Sequence, residues 1–145
     1  MTYHGLHHMD NTPRHLPLSL LLLRLGIFIV MFVWTLDKFV NPEHSGKVFA
    51  GFYGLEGLGA AAFLVIGAAQ MLVVLAFVAG FMRKLSYALI LAMHTVSTVS
   101  AYQRYLDPFN HLLFFAAWPM LAAAVALYLL RDHDTLLSWD ARSPA

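Results

Sequence analysis

Residues 58–82 read LGAAAFLVIGAAQMLVVLAFVAGFM, without a charged side chain and with Gln70 as the one strongly polar residue. A bilayer core about 30 Å thick calls for roughly 20 mostly apolar residues in a spanning helix, so this stretch predicts a transmembrane helix. Three further stretches carry the same signal to either side: 17–40 (PLSLLLLRLGIFIVMFVWTLDKFV), 85–102 (LSYALILAMHTVSTVSAY) and 110–130 (NHLLFFAAWPMLAAAVALYLL). They are too long for strands, and backbone groups in lipid are satisfied inside helices or closed barrels. The expected fold is therefore all-α, a four-helix transmembrane bundle forming a single membrane domain over 1–145, with tails at 1–16 and 131–145. Between the first two helices, residues 43–57 mix Glu43, His44, Lys47 and Glu56 with Phe49, Phe52 and Tyr53. That mixture predicts an interfacial or re-entrant segment.

Local chemistry marks the boundaries. Pro17 suits a first helical turn, where its missing N–H costs nothing. Asn41-Pro42 ends the first helix, because a residue before proline avoids the helical region. Arg83-Lys84 leaves so short a turn that the second and third helices are expected as an antiparallel hairpin. Pro119 predicts a kink in the fourth helix. The first apolar run exceeds a signal-peptide core and lacks a small-x-small site after it, so it reads as a retained helix. Arg14, Arg83, Lys84, Arg131 and Arg142 would fall on one side and Lys38, Lys47 and Arg104 on the other. By the positive-inside rule both termini are expected in the cytoplasm.

Composition excludes several classes. Of 145 residues, 60% are apolar and 12% charged, against about half and a quarter in soluble domains, so an ordinary water-soluble globule is ruled out. A net charge of +1 gives no nucleic-acid footprint. The absence of cysteine removes disulfides, thiolate nucleophiles and Cys-ligated clusters.

Polar groups inside an apolar layer are costly and call for individual explanation. Gln70 and His94 lie thirteen and ten residues from the turn at 83, a depth difference of a few Å at about 1.5 Å per residue. Ser97 and Thr98 share the His94 face. Two readings stand: polar glue between helices, or a small-molecule pocket of Gln70, His94, Ser97 and Arg24 that takes a quinone head group. Arg24 either snorkels to the interface or faces the bundle.

Trp34, Asp37, Lys38, Glu56, Arg104 and His111 cluster at the opposite helix ends. They read either as an aromatic belt with solvated charges or as the mouth of a site, with Arg104 pairing Asp37 or Glu56. The vertical gap between His94 and His111 argues against haem. His4, His7 and His8 in the N-terminal tail are candidate metal ligands, and equally a solvated histidine-rich tail.

The elements Leu22-Leu23-Arg24-Leu25-Gly26, Trp34-Thr35-Leu36-Asp37-Lys38-Phe39, Gly67-Ala68-Ala69-Gln70 and Ala79-Gly80-Phe81-Met82-Arg83-Lys84-Leu85 resemble motifs of the DoxX-like family of small four-helix integral membrane proteins. The likeness covers roughly residues 20–100. Gln70 stands where that family usually has glutamate and Thr35 where it often has glycine, so a proton-carrying glutamate does not carry over. The resemblance implies a bacterial or archaeal membrane subunit or anchor of a redox complex, without intrinsic catalysis, in contact with protein partners or further copies of itself and with quinone as the expected small molecule. Fold transfers better than function across such a likeness. A small-molecule permease or channel component, and a purely structural assembly subunit packing through Gly57, Gly59, Ala60–Ala62 and Ala122–Ala124, are the competing expectations.

Overall fold

A computed structural model describes residues 13–142. Within them the chain is helical, with no strand. Helix α1 (Leu16–Val40) carries Pro17 in its first turn and ends at Asn41. Helix α2 (Pro42–Tyr53) follows at once, its first turn capped by the Asn41 side chain accepting from the His44 backbone N–H at 3.3 Å. It stops at Gly54, whose left-handed φ of 66° suits a residue without Cβ. Helix α3 (Ala60–Val78) leads through the turn Ala79–Met82 into α4 (Arg83–Ser100). A short α5 (Tyr102–Tyr105) and two 3-10 turns (Pro108–Asn110, Leu112–Ala116) precede α6 (Ala117–Leu129). A third 3-10 turn (Arg131–His133) and a last helical turn, α7 (Trp139–Arg142), complete the described chain.

Three segments are long and apolar enough to cross a membrane: Leu16–Val40, Ala60–Val78 and Leu112–Leu129. Helix α4 has the length but not the apolarity, because Arg83 and Lys84 open it and Ser86, His94 and Thr98 lie along its buried face. Less than a quarter of each of the three apolar segments is buried, and large apolar side chains such as Leu22, Ile29, Val33, Val65, Leu72 and Leu129 are exposed. An apolar exterior of this extent is at home in hydrocarbon rather than in water.

Helix α1 packs against α3 and also touches α2 and α6, while α4 lies between α3 and α6. The buried stripe of α1 is Leu20, Arg24, Ile27, Met31, Thr35 and Lys38, the three-and-four spacing of one helix face. Its apolar members join Val74, Phe77, Tyr87, Ile90, Ala124 and Leu127 in one core. That core fills the half of the bundle nearer the α3–α4 turn, here called the turn end.

Two expectations are corrected. The irregularity of the last span is not a kink at Pro119. Pro119 sits in the first turn of α6, and the Leu112–Ala116 segment before it winds as a 3-10 helix. A proline ring clashes with the carbonyl four residues back, here Phe115, so the distortion falls ahead of the proline. Residues 131–142 are not a free tail either. Trp139 and Asp140 donate backbone hydrogen bonds to the Ala79 and Gly80 carbonyls at 2.9 and 3.2 Å, folding this segment over the turn end.

Candidate ligand cavity

Away from the turn end the same helix faces change character. On α1 the buried stripe passes from Met31 to Thr35 and Lys38, on α3 from Val74 past the half-buried Gln70 to Gly67 and then Phe63, and on α4 from Ile90 to His94 and Thr98. Small and polar side chains replace bulky apolar ones, and the helices enclose a cavity of about 910 Å3 instead of a core. Gly67 holds α1 and α3 close: a Cβ there would lie 3.0 Å from the Phe39 ring and 3.2 Å from Lys38 Cβ. Helix α2 and the Leu112–Ala116 turn complete the wall with Phe49, Phe52, Tyr53 and Phe114.

His94 is buried. Its Nε2 lies 3.0 Å from the Ala117 carbonyl. A carbonyl only accepts, so the ring proton sits on Nε2 and Nδ1 presents a lone pair. That Nδ1 has no partner. Thr98 donates its hydroxyl to the His94 carbonyl at 2.8 Å, and the Trp34 ring lies beside the imidazole with centroids 6.1 Å apart. Gln70 Oε1 and the Tyr105 hydroxyl are likewise buried without partners. Tyr105 is flanked by Phe115 and Trp118, with centroids 5.5 and 5.4 Å away, and burial pushes its phenol above the ordinary range. Buried polar atoms normally find a partner in protein or water. Gln70, His94 and Tyr105, which hold three such atoms, all line the cavity; the other two among the described residues, Arg24 Nε and Asp134 Oδ1, lie at the turn end.

Near the mouth, Asp37 Oδ2 accepts from the Ser45 hydroxyl at 2.9 Å and lies 2.8 Å from His44 Nδ1. Lys38 turns inward. It donates to the Trp34 carbonyl of its own helix at 3.1 Å and lies 5.8 Å above the Phe49 ring.

The sequence divided these groups into two sets, which the structure redistributes. Gln70, His94 and Ser97 line one cavity together with Trp34, Asp37 and Lys38. No hydrogen bond joins Gln70 to His94, although both residues line the cavity. Glu56, Arg104 and His111 are not on the wall. Glu56 is exposed in the loop before α3, and Arg104 pairs with neither Asp37 nor Glu56. Its guanidinium lies 3.4 Å from His111 Nε2 and stacks over Phe52 and Phe114 at 5.6 and 6.0 Å, backing two aromatic walls. Among the described residues no three His, Asp or Glu side chains group as metal ligands. His4, His7 and His8 lie outside the described residues.

Arg24 leaves the pocket set altogether. It sits near the turn end, fully buried, with Nη1 3.6 Å from Asp134 Oδ2 and donating to the Tyr87 hydroxyl at 3.2 Å. Tyr87 in turn donates to Asp134 Oδ2 at 2.6 Å, and Arg24 Nη2 donates to the Leu136 and Leu137 carbonyls. Arg24 thus neither snorkels nor faces the cavity; it holds the folded-back C-terminal segment. Lys38, Tyr105 and Thr98 prove to be inward polar groups beside His94. For Tyr105 no helical periodicity could have shown it, since α5 is a single turn.

No protein-family model, curated protein or solved structure matches this chain.

Proposed function

We propose that the chain is a four-span integral membrane protein of the DoxX-like kind that holds a quinone-class molecule and serves as a non-catalytic subunit or anchor of a membrane redox complex. Helix α4 is the fourth span in this reading. Its polar residues turn toward the bundle and its outward face, with Leu89, Val96 and Val99 exposed, is apolar enough for lipid. Both termini lie on the cytoplasmic side, matching the excess of Arg and Lys at the turn end.

The observation that carries the ligand reading is the trio of unpartnered buried atoms, His94 Nδ1, Gln70 Oε1 and Tyr105 OH, on the wall of one otherwise largely aromatic and aliphatic cavity. An apolar cavity with a few convergent polar groups is the ordinary form of a small-molecule site. A planar ring with oxygens at its edge would lie against Trp34 and the aromatic walls, and a small side-chain rotation would bring those groups to it. Because glutamine replaces the family's glutamate at position 70, the side chain there orients a ligand without carrying its proton. Electrons would come from a cofactor on a partner protein.

Solvent extraction of the chain purified in mild detergent, followed by mass spectrometry, should recover a quinone. A short-chain quinone added to the chain in nanodiscs should quench Trp34 fluorescence saturably. His94→Ala and Gln70→Leu should each weaken that response about two- to tenfold, the worth of one neutral hydrogen bond. An extract without quinone, together with a non-saturable response, refutes the assignment.

A further inference from the structure

The two buried cations among the described residues are treated differently. Arg24 meets the carboxylate of Asp134. Lys38, about 9% exposed, has no carboxylate oxygen within 4 Å among the described residues: its ammonium has the Trp34 carbonyl and the Phe49 ring, and the neighbouring Asp37 turns one oxygen toward Ser45 and His44 instead. An ammonium has three protons to donate, and one is used. A charge within an apolar layer is ordinarily paired or set in a water-filled cavity, and removing it from water without a partner is costly. Lys38 lines the cavity already described.

We infer that this cavity also takes a single-tailed amphiphile with one ionised oxygen, a carboxylate or an acidic hydroxyl, which Lys38 receives. The inference rests on the reading of the cavity as a ligand site and not on that ligand being a quinone. The geometry narrows the class further. The aromatic and aliphatic wall accommodates the tail, and about 910 Å3 suits one small ligand rather than a two-tailed lipid. Asp37 shares the wall one residue away, so a second negative charge on the head would meet a carboxylate. The site favours a monoanion over a dianion.

The test uses the full chain in nanodiscs of zwitterionic lipid, with empty discs as control. Binding of dodecanoate, methyl dodecanoate, dodecyl phosphate and a short-chain quinone is measured by isothermal titration calorimetry. Dodecanoate should bind at least about tenfold more tightly than its methyl ester, as one charge-assisted hydrogen bond implies. Lys38→Met should erase that difference and Lys38→Arg should keep most of it. Asp37→Asn should improve dodecyl phosphate more than dodecanoate. Equal binding of acid and ester by the wild-type chain overturns the inference, and so does an acid preference that survives in a folded Lys38→Met protein. If the quinone binds while acid and ester do not, the anion assignment falls and the cavity reading stands. If none of the four binds, both fall.

Discussion

Replacing Arg24 by methionine keeps the apolar stem in the stripe of α1 and deletes the guanidinium. Asp134, fully buried, then loses its countercharge at 3.6 Å and retains the Tyr87 hydroxyl at 2.6 Å. The Leu136 and Leu137 carbonyls lose their donor as well. Breaking one partner out of a buried pair costs about 3–5 kcal/mol, because the remaining charge stays desolvated; we expect R24M to fall in that range. Replacing both members by apolar residues removes the stranded charge, so R24M/D134L should lie within about 1 kcal/mol of the wild type. The assay is reversible denaturation of the full chain in mixed micelles, run as a double-mutant cycle, with limited proteolysis reporting whether residues 131–142 still cover the turn end. R24M should expose that segment to cleavage. A cost below about 1 kcal/mol with the segment still protected, or single costs that simply add in the double variant, would refute the pairing as the hold on the C-terminal segment.

Three further outcomes follow from nearby geometry. Gly80 has φ 61°, and a Cβ there would lie 2.4 Å from Arg24 Nη1 and 2.5 Å from Ser138 Oγ. Gly80→Ala should therefore add about 1–2 kcal/mol of left-handed strain to a steric expulsion of the tail, read as raised protease sensitivity at residues 131–142. Helix α4 has no capping side chain at its own N-cap, Met82; Asp140 supplies one from across the fold, accepting from the Met82 and Arg83 backbone N–H groups at 3.0 and 2.8 Å. Asp140→Ala should cost about 0.5–2 kcal/mol, as loss of an N-cap does, and hydrogen exchange should accelerate in the first turn of α4. Gly67→Leu should press on Phe39 and Lys38, cost about 1–3 kcal/mol through overpacking, and abolish the ligand response in nanodiscs while leaving helical circular dichroism in place.

The parts of this molecule that were legible in the sequence depend on periodicity and local chemistry. The expected span 17–40 is α1 at 16–40, because apolar runs and proline positions act within a few residues of where they stand, whereas the turn expected at Arg83-Lys84 falls earlier, at 79–82, and both basic residues open α4. Expectations about pairing fared worse. Arg24 was grouped with Gln70 and His94 by polarity and burial, yet its partners are Tyr87 and Asp134, distant in sequence and brought together by the folding-back of residues 131–142. Arg104 was set against Asp37 and Glu56 on charge alone, and it stacks on aromatic rings instead. Gly67, read in the sequence only as part of a motif, is where α1 and α3 touch, while a Cβ at Gly59 would meet open space. Composition shows that a residue is small or charged; only the register between helices decides what it meets.

That register also explains why one half of the bundle can be hollow. At the turn end, bulky apolar side chains from four helices interlock, the buried arginine has its carboxylate, and the C-terminal segment caps α4. Farther along the same stripes, threonine, lysine, glycine, glutamine and histidine occupy the equivalent positions. Polar side chains there gain less from close packing than apolar ones, and a buried histidine nitrogen or amide oxygen without a partner is a net cost to the fold. Such a cost is tolerable where another region supplies the stability. The two halves should therefore respond in opposite ways to apolar replacement. Filling the cavity wall, as with Gln70→Leu, removes an unsatisfied group and should leave the fold unchanged or more stable while weakening ligand binding. Deleting one charge at the turn end should unfold the C-terminal segment and reach the cavity only through loss of the whole bundle. If Gln70→Leu instead destabilises the chain, glutamine at that position is glue between helices, and the ligand reading loses its main support.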